Sequence, residues 1–212
     1  MKTIVFLGDS VTEGCFKLFE TSYGFDTYRE PDHVYHALIK KMLEARGEHA
    51  VIINAGISGD NAFRAQDRLD RDVLAHHPDI TVVCFGLNDA LHPPERYDAS
   101  LRAIFARLTP VCRVIFVTPN MLNTYIHPDT LPSSLKIAEQ TMAIQNNGTF
   151  DRYMDIARKA CADCGVELCD WYAVWKANAA AGHDTTADLI NCINHPTAEK
   201  HAELARMLLP LL

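Results

Sequence analysis

Residues 1–14, MKTIVFLGDSVTEG, decide how the rest of the chain is read. Ile4, Val5, Phe6 and Leu7 form a short apolar run, β-branched and aromatic in part, which predicts a buried strand. The run stops at Gly8-Asp9-Ser10, so the strand delivers small and polar residues to its carboxyl end. In an open α/β sheet that end is where ligands bind. Ser10 then lies near a helix N-terminus, whose free N–H groups favour developing negative charge. Two readings of Ser10 stand at this point: a cap for the next helix, or a nucleophile at the mouth of a crevice.

Working outward, the pattern repeats. Ala50–Asn54 (AVIIN), Ile80–Phe85 (ITVVCF), Arg113–Thr118 (RVIFVT) and Val166–Asp170 (VELCD) predict four further strands. Between them, helices are expected over His33–Arg46 with Asp32 as N-cap, over 61–75, over 95–108, over 150–164 ending at Gly165, and over 171–180. A last helix is expected over 196–209, with Pro196 at an early position where proline is tolerated. Residues 15–32 are expected to be a long loop, and 120–148 an irregular segment broken by Pro128, Pro132 and Asn146-Asn147-Gly148. Near-continuous apolar strands alternating with helices indicate a parallel sheet covered on both faces. Right-handed crossovers then gather the loops after the first three strands on one edge.

Composition narrows the function classes. The chain has 212 residues, 48% hydrophobic and 22% charged, which fits one α/β domain spanning 1–212. A net charge of -7 gives no basic footprint for nucleic acid and no polybasic face for a membrane, so neither partner is expected. No apolar run approaches the roughly 20 residues of a membrane span, and the first residues lack a signal-peptide core, so a cytoplasmic protein is expected. Seven scattered cysteines, an odd number, fit free thiols in a reducing compartment. Cys161, Cys164 and Cys169 lack the second ligand pair of a zinc site, and the ten histidines show no HExxH, so no metal is expected.

Three strand ends carry small and polar residues: Gly8-Asp9-Ser10, Gly56-Ile57-Ser58-Gly59 and Gly86-Leu87-Asn88-Asp89. Each alone reads as a turn or a cap. Together on one edge they offer a nucleophile, backbone N–H groups at Ser10 and Gly59, and the Asn88 amide, the donors an acyl-transfer site aims at a developing oxyanion. A base is still needed, and His195, just before the last helix, can return to that edge and take the Ser10 proton.

The blocks GDSVTEG, NAGISGDN, FGLND and INHP resemble, in order and separation, those of the SGNH (GDSL) hydrolase family, and span residues 8–196. The resemblance implies a flavodoxin-like three-layer α/β/α sandwich with a five-stranded parallel sheet, Ser10 as nucleophile, Gly59 and Asn88 as oxyanion-hole residues, and His195 as general base. It implies no cofactor. One departure stands out: the family writes Asp-x-x-His where this chain has Cys192 three places before His195. Asp188 or Asp184 could fold back to orient the imidazole, a backbone carbonyl could do so, or the site is catalytically weak; Asp188 is the acid singled out. The expected function is a serine ester hydrolase acting through an acyl-enzyme on a small-molecule ester of small or medium acyl chain, with an O-acetylated carbohydrate preferred. The alternatives are a thioesterase or lysophospholipase of the same family, or a non-catalytic ligand-binding domain.

Overall fold

A computed structural model describes residues 1–212. Strand β1 (Lys2–Gly8) is followed by a single helical turn, α1 (Ser10–Glu13), and by β2 (Cys15–Thr21) and β3 (Gly24–Arg29). Helix α2 (Tyr35–Ala45), β4 (Ala50–Gly56), the short α3 (Ala62–Ala65) and α4 (Leu69–Asp72), and β5 (Ile80–Cys84) come next. The remainder is α5 (Pro94–Leu108), β6 (Arg113–Val117), α6 (Leu135–Asn146), α7 (Thr149–Cys164), β7 (Glu167–Cys169), α8 (Trp171–Ala180) and α9 (Ala198–Leu208).

Five strands form one sheet in the order β4-β1-β5-β6-β7, all parallel. Ile4 to Leu7 and Ile80 to Cys84 are buried along their whole length, because helices cover both faces of the sheet. α2 packs against α9, and α5 against α7, giving the three-layer α/β/α arrangement. The register sets Gly8 beside both Gly56 and Cys84, so the ends of β1, β4 and β5 lie level on one edge.

Four local expectations need correction. Residues 15–32 are not a loop: β2 and β3 pair as a separate antiparallel hairpin. Phe16 and Leu18 are buried while Lys17 between them is exposed, an alternation of period two. Residues 120–148 contain α6, because Pro132 opens a 3-10 turn that leads into that helix instead of breaking it. The helix expected over 61–75 is broken into α3 and α4 by a 3-10 turn at Gln66–Arg68. Asp32 does not cap α2, whose N-cap is Val34.

Candidate active site

Ser10 is the first residue of α1. Asp9 caps that turn, its carboxylate accepting the Val11 N–H at 3.0 Å, and Gly14 closes it in the left-handed conformation at φ 98. Two glycines make so tight a turn possible. A Cβ on Gly8 would lie 2.1 Å from Thr12 Oγ1, and one on Gly56 would lie 2.2 Å from the Glu13 nitrogen. Without side chains there, α1 folds back directly onto the ends of β1 and β4.

His195 meets Ser10 from the far end of the chain, with Nε2 3.0 Å from Ser10 Oγ. Its other ring nitrogen, Nδ1, is 2.9 Å from the Phe16 carbonyl oxygen on β2. A carbonyl can only accept, so Nδ1 carries the proton and Nε2 is left to accept from the Ser10 hydroxyl. Both side chains are buried. Burial disfavours the imidazolium and pushes His195 down from 6.5 to about 4, partly opposed by the Phe16 carbonyl and the Glu13 charge. The ring is therefore held neutral, as a base must be.

The backbone carbonyl holds the position for which Asp188 was the acid singled out. Asp188 faces elsewhere, its carboxylate 2.8 Å from His183 Nε2 and 3.2 Å from Lys200 Nζ. Asp184 accepts from the Tyr125 hydroxyl at 2.7 Å and from the Thr186 and Ala187 N–H groups. Cys192 occupies a left-handed turn at φ 63, and burial pushes its thiol up. Asn191 organises that turn: its Oδ1 accepts the N–H groups of Ile193, Asn194 and His195 at 3.0, 2.9 and 2.8 Å. The Ile190 N–H closes the turn on the His195 carbonyl at 2.8 Å. The histidine loop is thus a compact turn pinned by an amide, with no carboxylate on the ring.

Gly59 and Asn88 reach the same edge. Gly59 has φ 72, open space where a Cβ would be, and an N–H with no partner in the protein. Its neighbour Ser58 is fixed by an N–H donated to Glu13 Oε2 at 2.6 Å. Asn88 donates one amide hydrogen to the Asp60 carbonyl at 2.8 Å, which leaves the other free and fixes the plane of the amide. A hydroxyl next to a neutral imidazole, beside unpaired N–H donors, can perform acyl transfer.

Sequence reasoning missed Phe16, whose contribution is a backbone atom and leaves no mark in residue type. It also missed Glu13 and Asn191. Glu13 lies inside the GDSVTEG block and bonds across to Ser58 and, through Oε1, to Arg29 Nε at 2.7 Å. A cavity of about 540 Å³ lies beyond the hairpin, with Lys17, Leu18, His127, Leu131, Ile190 and Cys192 in its walls; Ser10, Gly59, Asn88 and His195 are not among its lining residues.

Comparison with known proteins gives a consistent picture. The model of the GDSL-like Lipase/Acylhydrolase family matches residues 6–202. No curated protein sequence matches the chain. Among solved structures, the fold is similar to Axe2, an acetylxylan esterase from Geobacillus stearothermophilus, at 21% identity and TM-score 0.73 over 99% of this chain and 93% of that one. It is similar to a lipase/acylhydrolase from Enterococcus faecalis at 23% identity and TM-score 0.75, over 100% and 95%. It is also similar to the acetyl xylan esterase AlAXEase at 20% identity and TM-score 0.74, over 99% of each chain.

Proposed function

Because the chain belongs to the GDSL-like lipase/acylhydrolase family, and so is an ester hydrolase, we propose that it works through a Ser10 acyl-enzyme on esters of small acyl groups, with O-acetylated carbohydrate as the substrate class. The observation that carries this reading is the chain Ser10 Oγ–His195 Nε2 at 3.0 Å and His195 Nδ1–Phe16 O at 2.9 Å. Ser10 gives its proton to Nε2 as it attacks the acyl carbon. The oxyanion that forms is held by the Ser10 and Gly59 N–H groups and the free hydrogen of the Asn88 amide. The imidazolium returns the proton to the departing alcohol, and the same ring then activates water to release the acid.

Phe16 takes the place of the third member of a triad. A carbonyl fixes the tautomer and the ring plane as a carboxylate does, but it carries no full charge to stabilise the imidazolium. The reaction therefore leans more heavily on the oxyanion donors. The preference for acetylated carbohydrate is supported by the fold-level likeness to two acetylxylan esterases. The test is hydrolysis of p-nitrophenyl acetate by the wild type and by Ser10→Ala, followed by an acyl series from acetate to decanoate and a panel of acetylated xylo-oligosaccharides. Ser10→Ala is expected to lose roughly 10⁶-fold in kcat. Full activity in that variant overturns the serine mechanism, and a preference for decanoate overturns the small-acyl assignment.

A further inference from the structure

Arg68 sits at the joint between α3 and α4, and its side chain is only 8% exposed. All three of its nitrogens are used. Nε and Nη2 both lie 2.7 Å from Asp60 Oδ2. Nη2 donates to the Gly8 carbonyl at 3.0 Å, and Nη1 donates to the Ala55 carbonyl at 2.7 Å and to Asp72 Oδ2 at 3.2 Å. One planar group therefore bonds the end of β1, the end of β4 and the loop that follows β4.

Those three points bear directly on the reacting groups. Gly8 is two residues before Ser10, and Asp60 is the residue after Gly59. The Asp60 backbone carbonyl, in turn, receives the Asn88 amide at 2.8 Å. Gly59 makes no hydrogen bond of its own through its N–H, so its position is set by what holds its neighbours. Glu13 holds Ser58 on one side, and Arg68 holds Asp60 on the other.

We propose that Arg68 is a positioning residue for the oxyanion hole, setting the separation between the Ser10 turn, the Gly59 N–H and the Asn88 amide. The inference rests on the serine-hydrolase reading above. Its logic is geometric. Donors stabilise an oxyanion only when aimed at where the charge develops, and a misplacement of about 1 Å from a change outside the chemistry can cost about 10²-fold in rate. A guanidinium spans several acceptors in fixed directions, whereas an ammonium is a point charge on a flexible stem. Lysine at 68 would keep the charge opposite Asp60 and lose the simultaneous reach to Gly8 and Ala55.

The test uses Arg68→Lys, Asp60→Asn and the double variant, with p-nitrophenyl acetate turnover, inhibition by phenylboronic acid as a tetrahedral probe, and thermal melting as the check on folding. Arg68→Lys is expected to lose about 10²-fold in kcat, with KM within about twofold and the boronate inhibition constant rising in step with the loss of kcat/KM. Asp60→Asn should lose kcat in the same way, and the double variant should be no worse than the poorer single one, because both act through one unit. A folded Arg68→Lys with wild-type kcat, or a double variant whose loss is the product of the two singles, overturns the proposal. Failure of both single variants to fold also overturns it, by making Arg68 a residue of the fold alone. Ser10→Ala run in parallel separates the two readings: if it keeps full activity the hydrolase mechanism falls, and if only Arg68→Lys keeps full activity this inference falls alone.

Discussion

Ser10 stands on a turn wedged between two strand ends at the edge of a five-stranded sheet, whereas the group that orients His195 stands on a two-stranded hairpin whose second strand is largely exposed. The first region is fixed from several sides by Asp9, Gly8, Gly56, Glu13 and Arg68. The second is held by fewer contacts: Phe16 stacks on His201 of α9, with ring centroids 4.8 Å apart and an interplanar angle of 29°, Leu18 packs with Ala138 and Ile193, and Glu20 accepts the Ser133 N–H. His201 is itself buried and accepts the Tyr35 N–H at 3.3 Å. Ser10, Gly59 and Asn88 thus stand together at the edge of the central sheet, while the ring of His195 is oriented from the hairpin. Under the proposed serine mechanism, with no carboxylate charge on the ring, precision in the oxyanion hole carries more of the rate.

Of the two regions, the sheet edge should give the larger effect. Asn88→Ala removes one oxyanion donor and is expected to lower kcat by about 10²–10³-fold, measured on p-nitrophenyl acetate. It also frees the Asp60 carbonyl that the amide now engages. The hairpin side should respond less. Phe16→Leu keeps an apolar side chain but removes the ring stacked on His201, and kcat is expected to fall roughly tenfold at nearly unchanged KM through looser placement of the carbonyl. A loss in Phe16→Leu as large as that in Asn88→Ala would reverse the ranking of the two regions.

The pH profile sharpens the same contrast. In the proposed mechanism the neutral imidazole is the active form, and burial lowers His195 to about 4. Activity is therefore retained as pH falls through 6.5 and lost only near 4, so the acid limb of kcat/KM should show an apparent pKa of about 4. Placing a carboxylate near the loop by Cys192→Asp stabilises the imidazolium, and the limb should move upward. An unmoved limb in a folded variant would mean that position 192 does not reach the ring. Folding has to be followed in the same samples. His36 and His201 are also buried and lowered to about 4 and about 3, so an unfolded chain binds more protons than the native one below about 6.5. These groups cost stability as pH falls through that window. Buried Asp9 and Asp89, raised to about 7, act in the opposite sense: the native state holds extra protons between their ordinary 3.8 and about 7, so their contribution is fully present below 3.8 and is lost as pH rises to about 7. The smallest effect is expected at Asp188→Asn, which leaves the Phe16–His195 bond intact; kcat should stay within about twofold of wild type, since the carboxylate it alters faces His183 and Lys200 and not the ring.

Much of the first region was legible in the sequence, and little of the second. Buried strands must be apolar, and the strand ends must be small where α1 folds back, so Gly8, Ser10, Gly56, Gly59 and Asn88 are visible as residue types at fixed places. The parallel sheet followed from the same pattern. The hairpin is not legible in the sequence because its turn, Ser22-Tyr23 before Gly24, lacks the Asn-Gly or Asp-Gly dipeptide that announces a two-residue hairpin connection. α6 was hidden by treating Pro132 as a breaker, although proline at a helix start costs no hydrogen bond. The group that orients the base was hidden for a deeper reason. Every residue has a carbonyl, so nothing in residue type distinguishes Phe16, and the eye is drawn to acids such as Asp188 that fold to other partners.

That the imidazole leans on a main-chain oxygen changes what heredity can do to the site. A side-chain acid has a codon and can be erased by one nucleotide change. The Phe16 carbonyl has none: any residue at position 16 supplies it, and a substitution there loosens its placement without removing it. Point mutation should therefore thin this enzyme's hairpin of activity gradually, while a one-residue insertion or deletion between Gly14 and Leu18 shifts every carbonyl along the strand and should silence the base at a stroke.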